Sequence, residues 1–512
     1  MAIKKYYATK DNTITNAYKS NLSTRGVSGN MGQSDILEIF SIYAQVSSSG
    51  DGLSSELARV LIQFDTDAIN TDRTNGDIPA SGSVNFFLRM YDAEHTQTTP
   101  KDYTLLVSAV SQSWEEGLGL DMEEYSDTDS SNWISSSGDT TWSVIGGTVV
   151  TGGSYITGTD AATTKYLFSQ SFDTGFENLE VDVSHLVETW IKGPDNSGLA
   201  NYGFGVRLTG SDETTTDSYY TKMFFARGSQ YFHKRPTLEA RWDNSKKDNR
   251  GDFYLSSSLV SSDNNLMKLY LYNVVRGQLT DIPGLGTTGD PVYVSIFSGN
   301  LANTAPTASA SVNGTNGKLP LPLGGGTVEN GRFEITGARV ETGIYSCSFA
   351  YNSSSITTIF DVWYSGSNEY HTGSAIAVKT FNTNDYNFDQ RYASKVTNMR
   401  AVYSQNENVR FRLYTRQKDW SPTIYTVAKS TIEANIIDNA YYRFTRVSDN
   451  LEIIPFGTGS LNHTRLSYDV SGSYFDLKMD LFDTDGVYEL SFAYLINGSY
   501  VEQPERFRFR VE

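Results

Sequence analysis

A ten-residue pattern occurs twice in this chain, with equivalent positions 143 residues apart. The first copy reads Thr342-Gly343-Ile344-Tyr345-Ser346-Cys347-Ser348-Phe349-Ala350-Tyr351, and the second Asp485-Gly486-Val487-Tyr488-Glu489-Leu490-Ser491-Phe492-Ala493-Tyr494. Each has Gly, a β-branched residue, Tyr, two variable positions, then Ser-Phe-Ala-Tyr. Phe333-Glu334-Ile335 leads into the first copy and Phe475-Asp476-Leu477 into the second, offset by one residue. Repetition at this period points to two domains of one type in series.

A Gly turn followed by Tyr at the head of a strand resembles the tyrosine corner of immunoglobulin-like sandwiches, where the ring packs at the core edge and its hydroxyl ties down nearby backbone. Tyr345 and Tyr488 are therefore expected to be structural. At 512 residues the chain has room for about three domains. Its 33 Tyr and 26 Phe, with 43 Gly, suit strands and turns better than helices. The lone cysteine, Cys347, excludes an intrachain disulfide and stands where the other copy has Leu490, which marks it as a small buried apolar residue.

Period-two alternation marks half-buried strands. Val409-Arg410-Phe411-Arg412-Leu413 and Phe507-Arg508-Phe509-Arg510-Val511 put apolar groups on one face and arginines on the other, and Leu269 to Tyr272 and Val292 to Ile296 open the middle of the chain similarly. The best short helix is Val183 to Ile191, with Val183, Leu186, Val187, Trp190 and Ile191 at helical spacing and Asp182 or Ser184 as its cap. The polar run Asp243 to Gly251 reads as a linker, and the Asn- and Asp-rich segment Asn382 to Ala393 separates the repeat copies. Ala302 to Gly317, followed by Leu319-Pro320-Leu321-Pro322 and Gly324-Gly325-Gly326, reads as a small-residue contact loop inside the middle domain. The expected architecture is all-β: an N-terminal jelly-roll-type β-sandwich over 1–245, then two immunoglobulin-like β-sandwich domains in tandem over 252–381 and 394–512.

The first half carries an ordered series of patterns. Asp11-Asn12-Thr13-Ile14 is followed by Ala58 to Asp65, Val84 to Tyr91, and Trp114-Glu115-Glu116-Gly117 with Trp133 and Trp142 downstream. Then come Val181-Asp182-Val183 leading to Trp190, Asn201 to Val206, Phe224 to Arg227, and the closing Arg235-Pro236-Thr237-Leu238-Glu239-Ala240-Arg241-Trp242. This succession resembles the DNRLRE domain family, jelly-roll-type sandwiches on cell-surface, secreted and particle-borne proteins. The resemblance implies Trp114, Trp133, Trp142 and Trp190 as packing or loop anchors. It also implies, at class level, carbohydrate binding in some members. With the trailing immunoglobulin-like modules and the Tyr219 to Arg227 stretch, the arrangement is similar to virion structural proteins of marine tailed phages, notably cyanophages. That implies a non-enzymatic neck, tail, baseplate or head component, many copies on a particle, and other virion proteins as partners. A glycan-binding adhesin is the alternative.

The charge balance, 41 Lys and Arg against 59 Asp and Glu for a net −18, argues against direct nucleic-acid or anionic-membrane binding. No apolar signal core opens the chain, and no apolar run spans a bilayer, so it is expected to be made in the cytoplasm and released within a particle. The five histidines, His95, His185, His233, His371 and His463, show no ligand-like pairing and are expected in surface or loop roles. No phosphate loop or cofactor motif is present, and no catalytic residue is assigned. The acidic run around Glu115, Glu116, Asp121, Glu123, Glu124, Asp127 and Asp129 has three readings: a solvated loop, a Ca²⁺ site using Glu116, Asp121, Asp127 and Asp129, or a pair of catalytic carboxylates. The basic cluster Lys222, Arg227, His233, Lys234, Arg235, Arg241, Lys246, Lys247 and Arg250 reads as a docking patch for an acidic partner, with Lys222, Arg227, Lys234 and Arg235 at its centre, or as solvated strand edges.

Overall fold

The computed structural model describes residues 2–48, 52–95, 100–143, 149–156, 166–286, 289–300, 326–329, 332–352, 354, 356–380, 390–419, 434–484 and 486–512. The Ala302 to Gly317 loop, the prolines after it, Asp485 and most of the 382–393 break lie outside the described residues. The fold is all-β, built as three sandwiches. Among the described residues no helix is long and apolar enough to cross a membrane.

The N-terminal sandwich contains β1 (Ile3–Thr15), β2 (Ile36–Ser48), β3 (Gly52–Phe64), α1 (Thr66–Asn75), β4 (Asn85–Met90), β5 (Tyr103–Ala109), β6 (Ser135–Ser137), β7 (Thr140–Thr141), β8 (Leu167–Phe172), β9 (Leu179–Asp182), α2 (Ser184–Lys192), β10 (Phe204–Leu208), α3 (Gly210–Thr214), β11 (Tyr219–Phe225) and β12 (Thr237–Arg241). Strand β1 serves two sheets. Ile3 to Tyr7 pairs with β12, which continues through β4 to β9; past a bulge at Thr9, the rest of β1 pairs with β3. That second sheet runs on through β10 and β5 to β8, with β2 and β11 branching from β3. The bulge bends one strand across both layers, and the faces enclose a core that includes Val60, Ile62, Phe86, Leu88, Val107, Phe204 and Leu238. Helix α2 closes one end, inserting Leu186, Val187 and Trp190 into that core. It begins at Ser184, one residue after the expected start, and neither expected residue caps it: the N-cap position is Val183, whose side chain makes no cap bond, while Asp182 accepts the Ser184 amide at 2.9 Å just outside the helix. A second, smaller core lies on the outer face of the β3 sheet, where Trp114, Trp133 and Trp142 pack over Ile14 and Leu61 and anchor the long 111–156 connection.

The middle sandwich contains β13 (Phe253–Tyr254), β14 (Met267–Tyr272), β15 (Val274–Val275), β16 (Gln278–Leu279), β17 (Val292–Ser298), β18 (Gly326–Glu329), β19 (Arg332–Glu341), β20 (Ile344–Phe349), β21 (Thr358–Ser365), β22 (Asn368–Thr372) and β23 (Ile376–Lys379). The C-terminal one contains β24 (Tyr392–Val396), β25 (Val402–Tyr403), β26 (Asn408–Gln417), β27 (Ala440–Arg446), β28 (Glu452–Ile454), β29 (Ser467–Asp469), β30 (Gly472–Lys478), β31 (Val487–Ile496), β32 (Ser499–Glu502) and β33 (Phe507–Val511). Its sheets are β24-β26-β30-β29 and β25-β33-β31-β27-β28. These are the ABED and GFC layers of an immunoglobulin sandwich, with β31 in the F position. The alternation holds: Val409, Phe411 and Leu413 are buried, as are Phe509 and Val511, while Arg410, Arg508 and Arg510 face outward.

Strand pairing corrects the alignment of the two repeats. Both domains carry near their start a short strand parallel to the closing one, β13 beside β23 and β25 beside β33. In both, the closing strand follows a hairpin, β21-β22 and β31-β32. The counterpart of β31 is therefore β21, whereas the first copy of the repeat lies on β20, which pairs with β14 and β19. Any strand that leaves a turn and buries a Tyr, a small residue and a Phe satisfies the repeated pattern, so its two copies occupy different places in the sandwich. Both tyrosines are still structural and buried. Tyr488 makes a tyrosine corner, its hydroxyl accepting the Asp483 amide at 2.9 Å and donating to the Asp483 carbonyl at 3.0 Å. Tyr345 instead accepts the Ile282 amide at 2.8 Å, pinning the loop before β17. Cys347 is buried in the middle core, as the sequence implies.

Tyr488→Phe leaves the half-buried Asp483 carbonyl without its donor and removes an acceptor from the Asp483 amide, and the expected cost is about 1 kcal/mol of stability. Urea unfolding measures it, and the cost at Tyr488 should exceed that of Tyr345→Phe, which removes one acceptor.

Candidate interaction sites at the acidic loop and the domain seams

The acidic run lies on the connection held down by the tryptophans. Glu116 is not free to bind a ligand: it takes a two-pronged contact from the Arg227 guanidinium and accepts the Asp11 amide at 2.9 Å. Burial pushes the neighbouring Asp11 carboxyl up to about 7. The Asp121 carboxylate accepts the amides of Glu123 at 2.8 Å and Glu124 at 2.9 Å. Asp127 accepts the Leu118 amide at 3.0 Å and the Ser130 hydroxyl at 2.9 Å, and the Leu118 amide holds its carboxyl below the usual range. Asp129 contributes its carbonyl, which accepts the Gly138 amide at 2.6 Å. The structure does not bring the four together. Asp121 and Asp127 act as loop staples, and among the described residues no three His, Cys, Asp or Glu side chains converge on a common point. What the loop does present is apolar: Leu118 is 78% exposed and Tyr125 64%.

The basic cluster disperses into intramolecular contacts. Lys222 is 1% exposed, and its ammonium meets the Asp92 carboxylate and the carbonyls of Gly175 at 2.8 Å and Glu177 at 3.0 Å. Arg227 is bound to Glu116. Arg235 donates to the Ser229 carbonyl at 2.8 Å and lies over the Phe232 ring. Lys234 lies 5.1 Å over Phe225 and lines a cleft facing the C-terminal domain. An outward docking patch is thus not what these side chains build.

Their remaining members hold domains together. On the outer face of β12, Glu239 is fully buried and paired with Arg241 at 2.6 Å, Arg89 at 3.1 Å and Lys5 at 3.3 Å. This face is covered by the C-terminal sandwich. Ile3 belongs to that sandwich's core, and Lys5 donates to the Ile453 carbonyl at 3.0 Å. His233 Nε2 accepts the Asp483 amide at 2.9 Å, joining the tyrosine corner. His463 is buried beside the same cations, and Gly457 lies so close that a Cβ there would sit 2.0 Å from its Nδ1. Two of the five histidines are therefore seam residues rather than surface ones. Burial, aided by Lys5 and Arg446, pushes His233 down to about 4; burial beside Arg241 pushes His463 down to about 3.

The 243–251 segment is not a free tether. Lys247 and Tyr468 form a parallel bridge, so the segment adds backbone pairing to the edge of β29. Lys246 pairs with Glu341 at 3.0 Å, and Arg465 of the C-terminal domain pairs with Asp243 at 3.2 Å. Arg250 grips the fully buried Asp361 of β21 through two bonds of 2.6 and 2.7 Å, and Trp363 donates to the same carboxylate at 2.7 Å. One sequence signal pointed here: Asp361 stands alone in the apolar run Ile359 to Tyr364, and a buried carboxylate requires a cation.

No family model matches this chain, and no curated protein does. Similar solved structures include a marsupial T cell receptor, at 9% identity over 51% of this chain and 71% of that one with a TM-score of 0.15. They also include titin domains z1z2 in complex with telethonin, at 12% over 51% and 88% with a TM-score of 0.12. Trypsin-activated alpha-2-macroglobulin from Escherichia coli shares 8% over 92% of this chain and 30% of its own, with a TM-score of 0.15. At those scores the immunoglobulin-like assignment stands on the strand pairing itself.

Arg250→Ala leaves Asp361 buried without its cation, and the expected loss is about 3–5 kcal/mol, read from the denaturation midpoint. Below about pH 6.5 the unfolded chain protonates His233 and His463 while the folded chain resists, so these two groups lower stability as pH falls toward about 4. Asp11 and Asp248, pushed up by burial to about 7 and about 6, act in the opposite sense, favouring the folded chain at low pH and losing that contribution as pH rises through those values. A His233→Gln, His463→Gln double variant isolates the histidines. Between about pH 7 and about pH 4.5 its urea midpoint should fall less than the parent's.

Proposed function

We propose that this chain is a non-enzymatic structural protein of a tailed-phage virion, a neck, tail, baseplate or head accessory component that makes multivalent contacts with neighbouring subunits. The observation that carries this reading is the use made of charge. Lys5 of the N-terminal sandwich donates to the Ile453 carbonyl of the C-terminal one, while Arg465 pairs with Asp243 and Lys246 with Glu341, holding the connecting segment against the C-terminal and middle sandwiches. A block joined in this way presents its outer loops at fixed spacing. When many copies stand on a particle, contacts that are weak singly become strong together.

The acidic loop suits such contacts. Asp121 and Asp127 set its backbone, leaving Leu118 and Tyr125 in water. Apolar side chains held out by a pre-set loop are what subunit interfaces cover. The ordering entropy of the loop is largely met before association. The residues that resemble DNRLRE domains and marine-phage virion proteins support the same reading.

Antibody raised against the chain is expected to label intact particles at regularly repeated positions in electron micrographs. Purified particles that lack the protein would remove the proposal. A Leu118→Asp, Tyr125→Asp variant should fold with an unchanged melting temperature yet enter particles at reduced copy number by quantitative mass spectrometry.

A further inference from the structure

We propose that the β15-β16 hairpin of the middle sandwich docks on the acidic loop of a second copy of this chain, a head-to-tail contact that repeats from copy to copy. It rests on the reading of the chain as a multivalent particle subunit, and it names the partner of the acidic loop.

Arg276 and Gly277 form the two-residue turn of the hairpin with φ of +53° and +82°, the left-handed pair whose twist matches the flanking strands. Below the turn Val274 stands opposite Leu279 and Val275 opposite Gln278, so Val274 and Leu279 share one face. Val274 is 56% exposed, Val275 49% and Leu279 42%. A two-stranded hairpin is marginal by itself, and the first copy of the repeat clamps this one at its base. The Thr280 amide donates to the Asn273 carbonyl at 3.0 Å, and the Asn273 side-chain amide to the Thr280 carbonyl at 2.6 Å. The Asn273 amide donates to the Gly343 carbonyl at 2.8 Å. A Cβ on Gly343 would lie 2.7 Å from the Thr280 nitrogen, so only glycine allows this approach. Asp281, next along, accepts the Gly343 amide at 2.8 Å and both prongs of the Arg339 guanidinium at 2.9 Å. Single exposed apolar residues are ordinary, but three on one braced hairpin form a patch that association covers.

Charge selects the occupant. From Asn273 to Thr280 the hairpin carries Arg276 at its exposed tip and no carboxylate, and Asp281 behind it is taken up by Arg339. The acidic loop is the complement of that surface: Leu118, Leu120 and Tyr125 are exposed there among the outward carboxylates Glu115, Glu124 and Asp129. Covering the apolar groups supplies the association, while Arg276 against those carboxylates steers the encounter and fixes its register. Both surfaces are exposed in the same chain, so neither covers the other within one copy. They also lie on different sandwiches, so the contact is heterologous. Each copy offers its hairpin to one neighbour and its loop to another, which generates a ring or a filament rather than a closed pair.

The test is sedimentation velocity on the full purified chain at up to roughly 100 μM, where a contact with a Kd of about that size is populated. A hairpin variant carries Val274→Asp and Leu279→Thr, and a loop variant carries Leu118→Asp and Tyr125→Asp. All four positions are exposed, and both variants are expected to melt as the parent does. The parent is expected to form oligomers that grow with concentration, and each variant alone to stay monomeric. Their equimolar mixture is expected to form a complex of two chains that grows no further, because only one intact hairpin and one intact loop remain to meet. Arg276→Glu is expected to weaken the parent's association at least about tenfold, by a factor that shrinks as salt rises. A monomeric parent, a mixture that forms no two-chain complex, or a hairpin variant that associates as the parent does would each overturn the proposal. The assay contains no particle, so a monomeric parent on labelled particles sinks this contact alone, and absence from particles sinks the virion reading alone.

Discussion

The buried carboxylate of Glu239 is the main electrostatic constraint on the face that the N-terminal sandwich turns to the C-terminal one. It lies on β12 with no exposure to solvent, between Arg241, Arg89 and Lys5. Every residue of β12 is buried, because Leu238 and Ala240 face the core of their own sandwich while Thr237, Glu239 and Arg241 face the C-terminal domain. A carboxylate withdrawn from water is tolerable only when its lone pairs are met, and here three cations hold it firmly ionised. Such a network adds little stability over an apolar surface of the same shape. Its three cations all come from the N-terminal sandwich, so the network is complete within that domain, and it reaches the C-terminal sandwich through Lys5, which also donates to the Ile453 carbonyl at 3.0 Å.

The other seam follows from the same logic at smaller scale. Arg250 reaches Asp361 from the end of the connecting segment, and that segment is itself zipped to β29 through Lys247 and Tyr468. The middle domain is thus oriented by a connection that has lost its freedom. Tyr488 ties the arrangement together: its corner fixes Asp483, whose amide also meets His233 from the N-terminal sandwich. A motif internal to one domain therefore doubles as part of the contact with another.

What was legible in the sequence was local. Alternation at Val409 to Leu413 and at the C-terminus revealed strands, helical spacing revealed α2, and large isolated tryptophans revealed anchors, because each signal depends on neighbours within a few positions. The seams were not legible. Thr237 to Arg241 alternates like a strand with one face in water, and nothing nearby says that a domain more than 200 residues later covers its polar face. The basic cluster misled for the same reason: Lys222 finds Asp92 across 130 positions and Arg250 finds Asp361 across 111. The repeat misled differently. Its residues report burial after a turn, whereas a strand's place in a sandwich is set by which strands it bonds, and β20 and β31 bond to different ones.

With net charge −18 the chain repels itself, and its 41 cations are fewer than its carboxylates. Where those cations stand decides which surfaces can meet. On β12 and beside Asp361 they are buried, where salt screens them least. The acidic loop keeps Glu115, Glu124 and Asp129 outward around Leu118 and Tyr125, with Arg227 turned to Glu116 and Lys10 and Lys19 bonded to the carbonyls of Trp114 and Glu123. Like-charged copies of this loop repel one another, so the loop is unsuited to pairing with itself and suited to a surface of opposite sign.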